Sequence, residues 1–419
     1  MKKRLLFLML SACFLCAASL RYLAQDKAAG SRPGRVEITD EVTEDILLSG
    51  EQKEDGEGVY KELREGTAQA ASLQEEIGFQ EDGYAYQCLH EEEQKVYQEI
   101  YGILTTFGED VEISLTDPEQ IAKLFQCVLN DHPEIFYVQG YTYTSYSQGP
   151  EIVRITLSGT YTMTPQEVSQ CQEKIEAYVS ECLSGLEPYA SDYEKVKYVY
   201  EYLIHHTQYN LEAKDNQNIC SVFLYGESVC QGYAKATQYL LQKAGVFCTL
   251  VIGSVSAGEG HAWNLVRMDG NYYYVDTTWG DASYQREEGL QDTWTRNFPD
   301  INYDYLGVTT DQLLKTHILN NVVELPLCES MDCNYYVREG TYLTECGEES
   351  LKQLFDAKFW SNGGYITLKA ANEEVYVRLR QLLVEEQRIF EYIRQADGTV
   401  AYSDNDAQYS LSFWVWPEE

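Results

Sequence analysis

Three side chains in this sequence have the types and surroundings that covalent catalysis needs: Cys230, His261 and Asp276. Cys230 lies in GESVCQGYAKATQYLLQKAG, where Ser228 reads as a helix cap, Gln231 as its capping-box partner and Gly245 as the stop. The cysteine is therefore expected in the first turn of a helix. There the positive end of the helix dipole and unpaired amides favour a thiolate, and the same amides can donate to an oxyanion. Together the three types suit acyl transfer: a nucleophile, a base, and a carboxylate that fixes the base's tautomer. Taken singly, each has an ordinary alternative: a buried thiol, a core histidine, a turn carboxylate.

The elements that must position them are legible nearby. In GHAWNLVRMDGNYYYVDTTWGD, two β-rich runs flank Asp269-Gly270, a strong two-residue hairpin signal. Pairing Met268 with Asn271 puts Asp276 opposite Trp263 and makes His261 its diagonal neighbour on the same face. An odd loop or a bulge would separate the two. Gly232 and Ala234 are small enough to let the cysteine helix pack closely on a sheet. Upstream, SDYEKVKYVYEYLIHH predicts a helix capped by Ser191, with Val196, Val199, Tyr200 and Leu203 on one face.

SVCQGYAKA, GHAWNLV and YYYVDTTWGD resemble the three motif blocks of the transglutaminase-like superfamily, in order and in spacing. The resemblance covers about residues 191–318. It implies a papain-like α+β core with Cys230 as nucleophile, His261 as general base and acid, and Asp276 as its orienting partner. HPEIFYV and the SDYEKVKYVYEYLIHHTQY helix are similar to segments of exported bacterial members. The family often has Pro after the aspartate, where this chain has Thr277. Residues 219–229 hold neither the upstream Gln of papain-like enzymes nor the upstream Trp of animal transglutaminases. The Cys230 amide is the first candidate oxyanion donor; Gln231, Tyr209 and Tyr225 are further candidates, with aromatic packing the alternative for the tyrosines. Trp263 and Trp279 are expected to wall the site. His205, His206 and His317 have no evident acid partner and are expected to be structural or surface residues, and Asp281 a turn residue. No cofactor or required metal is implied; no calcium-loop spacing is present.

The rest of the chain frames this core. It has 419 residues, 12 cysteines, 35 tyrosines and a net charge of −36, which disfavours nucleic acid and anionic membrane surfaces. Lys2, Lys3 and Arg4 precede an apolar stretch at residues 5–20, shorter than the ~20 residues that span a bilayer. Residues 1–25 thus read as a signal peptide or membrane anchor, with a lipobox-like LSAC at Cys13, and the protein is expected outside the cell. Residues 26–82, with 16 acidic and 6 basic side chains, read as a solvated, largely disordered spacer. Residues 83–190 and 319–419 read as α+β accessory domains around the core at 191–318. In the tail, NYYVREGTYL, GYITLKA and AQYSLSFWVW read as strands, ESLKQLFDAKFW as a helix and EEVYVRLRQLLVEEQRIFEYIR as one long helix. Two functions follow: a thiol enzyme acting on protein or peptide amide bonds, cell-wall associated substrates included, or a surface binding protein retaining the fold. Oligomeric state is not encoded in any motif. Cysteine spacing gives no regular disulfide framework; Cys328 and Cys333 are close enough in sequence to form a disulfide or half a metal site, and pairing of Cys230 with Cys220 or Cys248 could regulate the thiol.

Overall fold

The computed structural model describes residues 4–7, 51–53, 83–148, 150–282, 299–394 and 399–416. Apart from Arg4–Phe7 and Glu51–Lys53, the expected export segment and acidic spacer lie outside the described residues. The chain is a mixed α and β protein with three main sheets. The sheet that concerns the site has five antiparallel strands. Its order is Leu306–Val308, Asn271–Val275, Gly260–Met268, Cys248–Val255 and His317–Leu319.

The hairpin forms in the expected register, Met268 opposite Asn271 and Val275 opposite Asn264. Asp269 and Gly270 both take positive φ, +51° and +87°, the backbone of a type I′ turn whose twist matches that of the strands. Helix Cys230–Lys243 packs across this sheet, burying Ala234 against Leu250 and Ala262. Helix Asp192–His206 begins with the expected capping box, Ser191 with Glu194. Its apolar face, Val196 to Leu203, joins a cluster running from Ala85 to Cys333. That cluster takes in helices Glu91–Thr105, Pro118–Asp131 and Pro165–Ser184 and the hairpin Val138–Gln148 with Glu151–Tyr161, so apolar packing is continuous across residue 190.

The tail has its own core, from Leu351 to Phe413. Two of its expected elements differ. NYYVREGTYL opens as a helix, Tyr335–Arg338, because Asn334 caps it by accepting from the Tyr336 N–H; a two-residue strand, Tyr342–Leu343, follows. The long helix ends as Glu373–Arg380 and passes into a wide π turn, Gln381–Glu385. Leu382, Leu383 and Val384 are all buried, and three consecutive apolar side chains cannot share one face of a regular helix. Among the described residues no helix is long and apolar enough to cross a membrane, and the ten described cysteines are all unpaired, Cys230, Cys220, Cys248, Cys328 and Cys333 among them.

Candidate active site

Cys230 is the first residue of its helix and is buried, 3 % exposed. The expected cap is corrected: Val229 occupies the cap position and no side chain caps the helix. Ser228 belongs to a short strand beside Tyr209, and its hydroxyl meets Ser221 Oγ at 2.6 Å and donates to the Asn216 carbonyl at 3.2 Å. Gln231 is therefore no capping-box partner, and the first-turn amides have no side-chain acceptor. Gly232 is required by this arrangement rather than by the sheet. A Cβ there would collide with Ser228 Oγ and stand 2.7 Å from Ser221 Oγ.

His261 and Asp276 come together as the hairpin register requires. Beyond Val275 the chain leaves the strand, so Asp276 caps the short helix Thr277–Gly280, its Oδ1 accepting the Trp279 N–H at 3.0 Å. Asp276 Oδ2 meets His261 Nε2 at 2.7 Å, and Cys230 lies close enough to the same imidazole to favour its charged form. With Nε2 committed to the carboxylate, Nδ1 is the nitrogen left for sulfur. Burial would lower the affinity of His261 for a proton, but the Asp276 charge and hydrogen bond, helped by Cys230, outweigh it and hold the pKa at about 10. Burial likewise opposes the Asp276 carboxylate, yet His261 and His317 hold it well below the usual carboxylate range.

His317 is a second correction. It is neither exposed nor without an acid: it is 1 % exposed and its Nε2 donates to Asp276 Oδ2 at 3.0 Å. Its three-residue strand gave no sequence signal, but pairing of His317 with Val255 carries it to the site. His205 and His206 are exposed, as expected. Trp263 and Trp279 flank His261 with ring centroids 5.7 and 5.9 Å away, and both also pack on His317. Tyr209 stacks on Tyr233. Tyr225 is a surface residue whose hydroxyl accepts from Lys214 Nζ at 3.0 Å, in place of the expected site role. Asp281 does more than turn the chain: buried, it accepts from Tyr233 of the cysteine helix at 3.0 Å. Thr277 occupies the first position of the short helix, where proline is equally acceptable, and its hydroxyl meets Thr237 at 2.9 Å. Asn264 completes the scaffold, donating to the Ala234 carbonyl at 2.9 Å.

Among the described residues, His261, Asp276 and His317 also form a group of metal-capable atoms, all within 4.8 Å of one another. Both imidazoles instead make hydrogen bonds to the carboxylate, so an ion would have to displace them.

Residues 176–277 match the family model described as the transglutaminase-like superfamily. The chain is 30 % identical over 173 residues to the kyphoscoliosis peptidase of Mus musculus, covering 37 % of this chain and 25 % of that protein. It is 29 % identical over 176 residues to the kyphoscoliosis peptidase of Homo sapiens, covering 36 % and 26 %. It thus spans about a quarter of the length of these curated relatives. A solved structure of a TGase is similar at 15 % identity and a TM-score of 0.26, covering 39 % of this chain and 50 % of that one. Cys230, His261 and Asp276 all fall within residues 176–277, the part of the chain that matches the transglutaminase-like superfamily.

Proposed function

We propose that the chain is a thiol enzyme that opens amide bonds of proteins or peptides through a thioester, with water as the final acceptor. The observation that carries this reading is the buried His261–Asp276 pair, hydrogen-bonded at 2.7 Å, beside Cys230 at the start of its helix. Cys230 Sγ attacks the amide carbonyl while the proton it shares with His261 rests on the imidazole, and uncapped first-turn amides receive the oxyanion. His261 then protonates the departing nitrogen, leaving a thioester and a free amine. In the second half His261 takes a proton from water, the hydroxide displaces sulfur, and a carboxylate leaves with the original thiol restored. Asp276 holds the imidazole in one tautomer and stabilises its charge. The peptidase name of the curated relatives supports hydrolysis as the outcome.

The test compares the wild-type chain with Cys230→Ala on a peptide library, reading new amino termini, and on a fluorescent primary amine, reading incorporation. Cleavage by the wild type and none by a folded Cys230→Ala is expected. Activity that survives in Cys230→Ala would overturn the reading, and incorporation without cleavage would replace water by an amine.

A further inference from the structure

Asp276 Oδ2 accepts from two histidines at once, His261 at 2.7 Å and His317 at 3.0 Å. The second comes from an edge strand beyond the residues that match the family, 41 positions along the chain. Its tautomer follows from its neighbours. His317 Nδ1 lies 2.9 Å from Thr316 Oγ1, whose other contacts are weaker: the Leu313 carbonyl at 3.4 Å and the Tyr305 hydroxyl at 3.3 Å. Because the Asp276 carboxylate can only accept, the imidazole carries a proton on Nε2, and Nδ1 faces the Thr316 hydroxyl and the Leu313 carbonyl. Rings of Trp263, Trp279 and Tyr305 pack around it and hold its plane. The titratable groups that face it are Asp276, His261 and Tyr305.

We propose that His317 is a positioning residue for the Cys230–His261 pair, its Nε2–H locking the carboxylate oxygen that orients His261. This rests on the thiol-enzyme reading above. With Oδ1 tied to the Trp279 amide and Oδ2 to His317, the Asp276 carboxylate cannot rotate, so the direction in which it presents its charge to His261 is fixed. Burial and the neighbouring His261 charge both lower the proton affinity of His317, and outweigh Asp276 and the Leu313 carbonyl, which raise it. His317 therefore supplies an N–H without a second buried positive charge.

The experiment measures the rate of Cys230 alkylation by iodoacetamide against pH in the full chain, for wild type, His261→Gln, His317→Gln, His317→Asn and His317→Ala, each checked by near-UV circular dichroism. The Gln amide nitrogen reaches the place of Nε2, whereas that of Asn reaches only Nδ1. The expected result is a loss of roughly tenfold at neutral pH in His317→Ala and His317→Asn with a displaced profile, and recovery in His317→Gln. Profiles of all three His317 variants that superimpose on wild type, with only a lowered melting temperature, would overturn the proposal while leaving the enzyme reading intact. A His261→Gln profile that superimposes on wild type would overturn the enzyme reading itself.

Discussion

Replacing Asp276 with asparagine should strip His261 of its charge at neutral pH. Asparagine nearly matches the shape of aspartate but removes the charge that keeps His261 protonated up to about 10 against the pull of burial. The distance from an ordinary 6.5 corresponds to about 5 kcal/mol at ~1.4 kcal/mol per tenfold in proton affinity. Without the carboxylate, burial, already the largest single influence, is opposed only by Cys230 and is expected to take His261 below 6.5. At pH 8 its charged fraction then falls from nearly complete to under about 3 %. The assay is nuclear magnetic resonance of the ring Cε1–H in protein carrying labelled histidine; the sequence has six, and His261→Gln assigns the signal. Wild type should show no His261 titration between pH 5 and 8, and Asp276→Asn should titrate with a midpoint below 6.5. A wild-type midpoint near 6.5, or an unchanged variant, would refute the reasoning. Stability follows the same signs. His261 is raised above its unfolded value, so its contribution is full below about pH 6.5 and is lost as pH rises toward about 10. Asp276 is lowered, so its contribution is present above its usual 3.8 and is lost in acid.

Gly232→Ala should destabilise the chain by about 1–3 kcal/mol in urea unfolding and slow Cys230 alkylation, because the added methyl collides with Ser228 Oγ, both residues lying two positions from the nucleophile; unchanged stability would contradict the close approach. Thr277→Pro should cost only about 1 kcal/mol, the Thr237 hydrogen bond, since Asp276 already has the extended backbone that a following proline needs. A loss above about 3 kcal/mol would show that the threonine does more than hold that bond.

The hairpin was legible because a two-residue turn leaves the register no freedom: once Asp269-Gly270 is placed, His261 and Asp276 must share a face. The cysteine helix was legible in its start and stop but not in its cap, because Ser228 has a stronger claim on Ser221 and Asn216 than on the helix amides. His317 was hidden for a different reason. Only the order of strands, with Cys248–Val255 between the hairpin and His317–Leu319, brings it to Asp276, and a three-residue strand has no periodicity to read. In the tail, the strand Thr399–Asn405 was missed because both its faces are largely buried, which removes the alternation that marks a half-exposed strand.

The buried Asp276–His261 ion pair also separates chemistry from encounter. Mobile ions screen charges at a protein surface within about 8–10 Å at ordinary ionic strength, but reach a dry pair far less. Outside lies a chain of net charge −36, whose field attracts cations and repels anions. Added salt therefore acts on the approach of a charged substrate while the proton affinity of His261, set within 3 Å by Asp276, stays where it is. On the proposed function, substrate choice by charge would belong to the acidic exterior, and bond breaking to the buried pair beneath it.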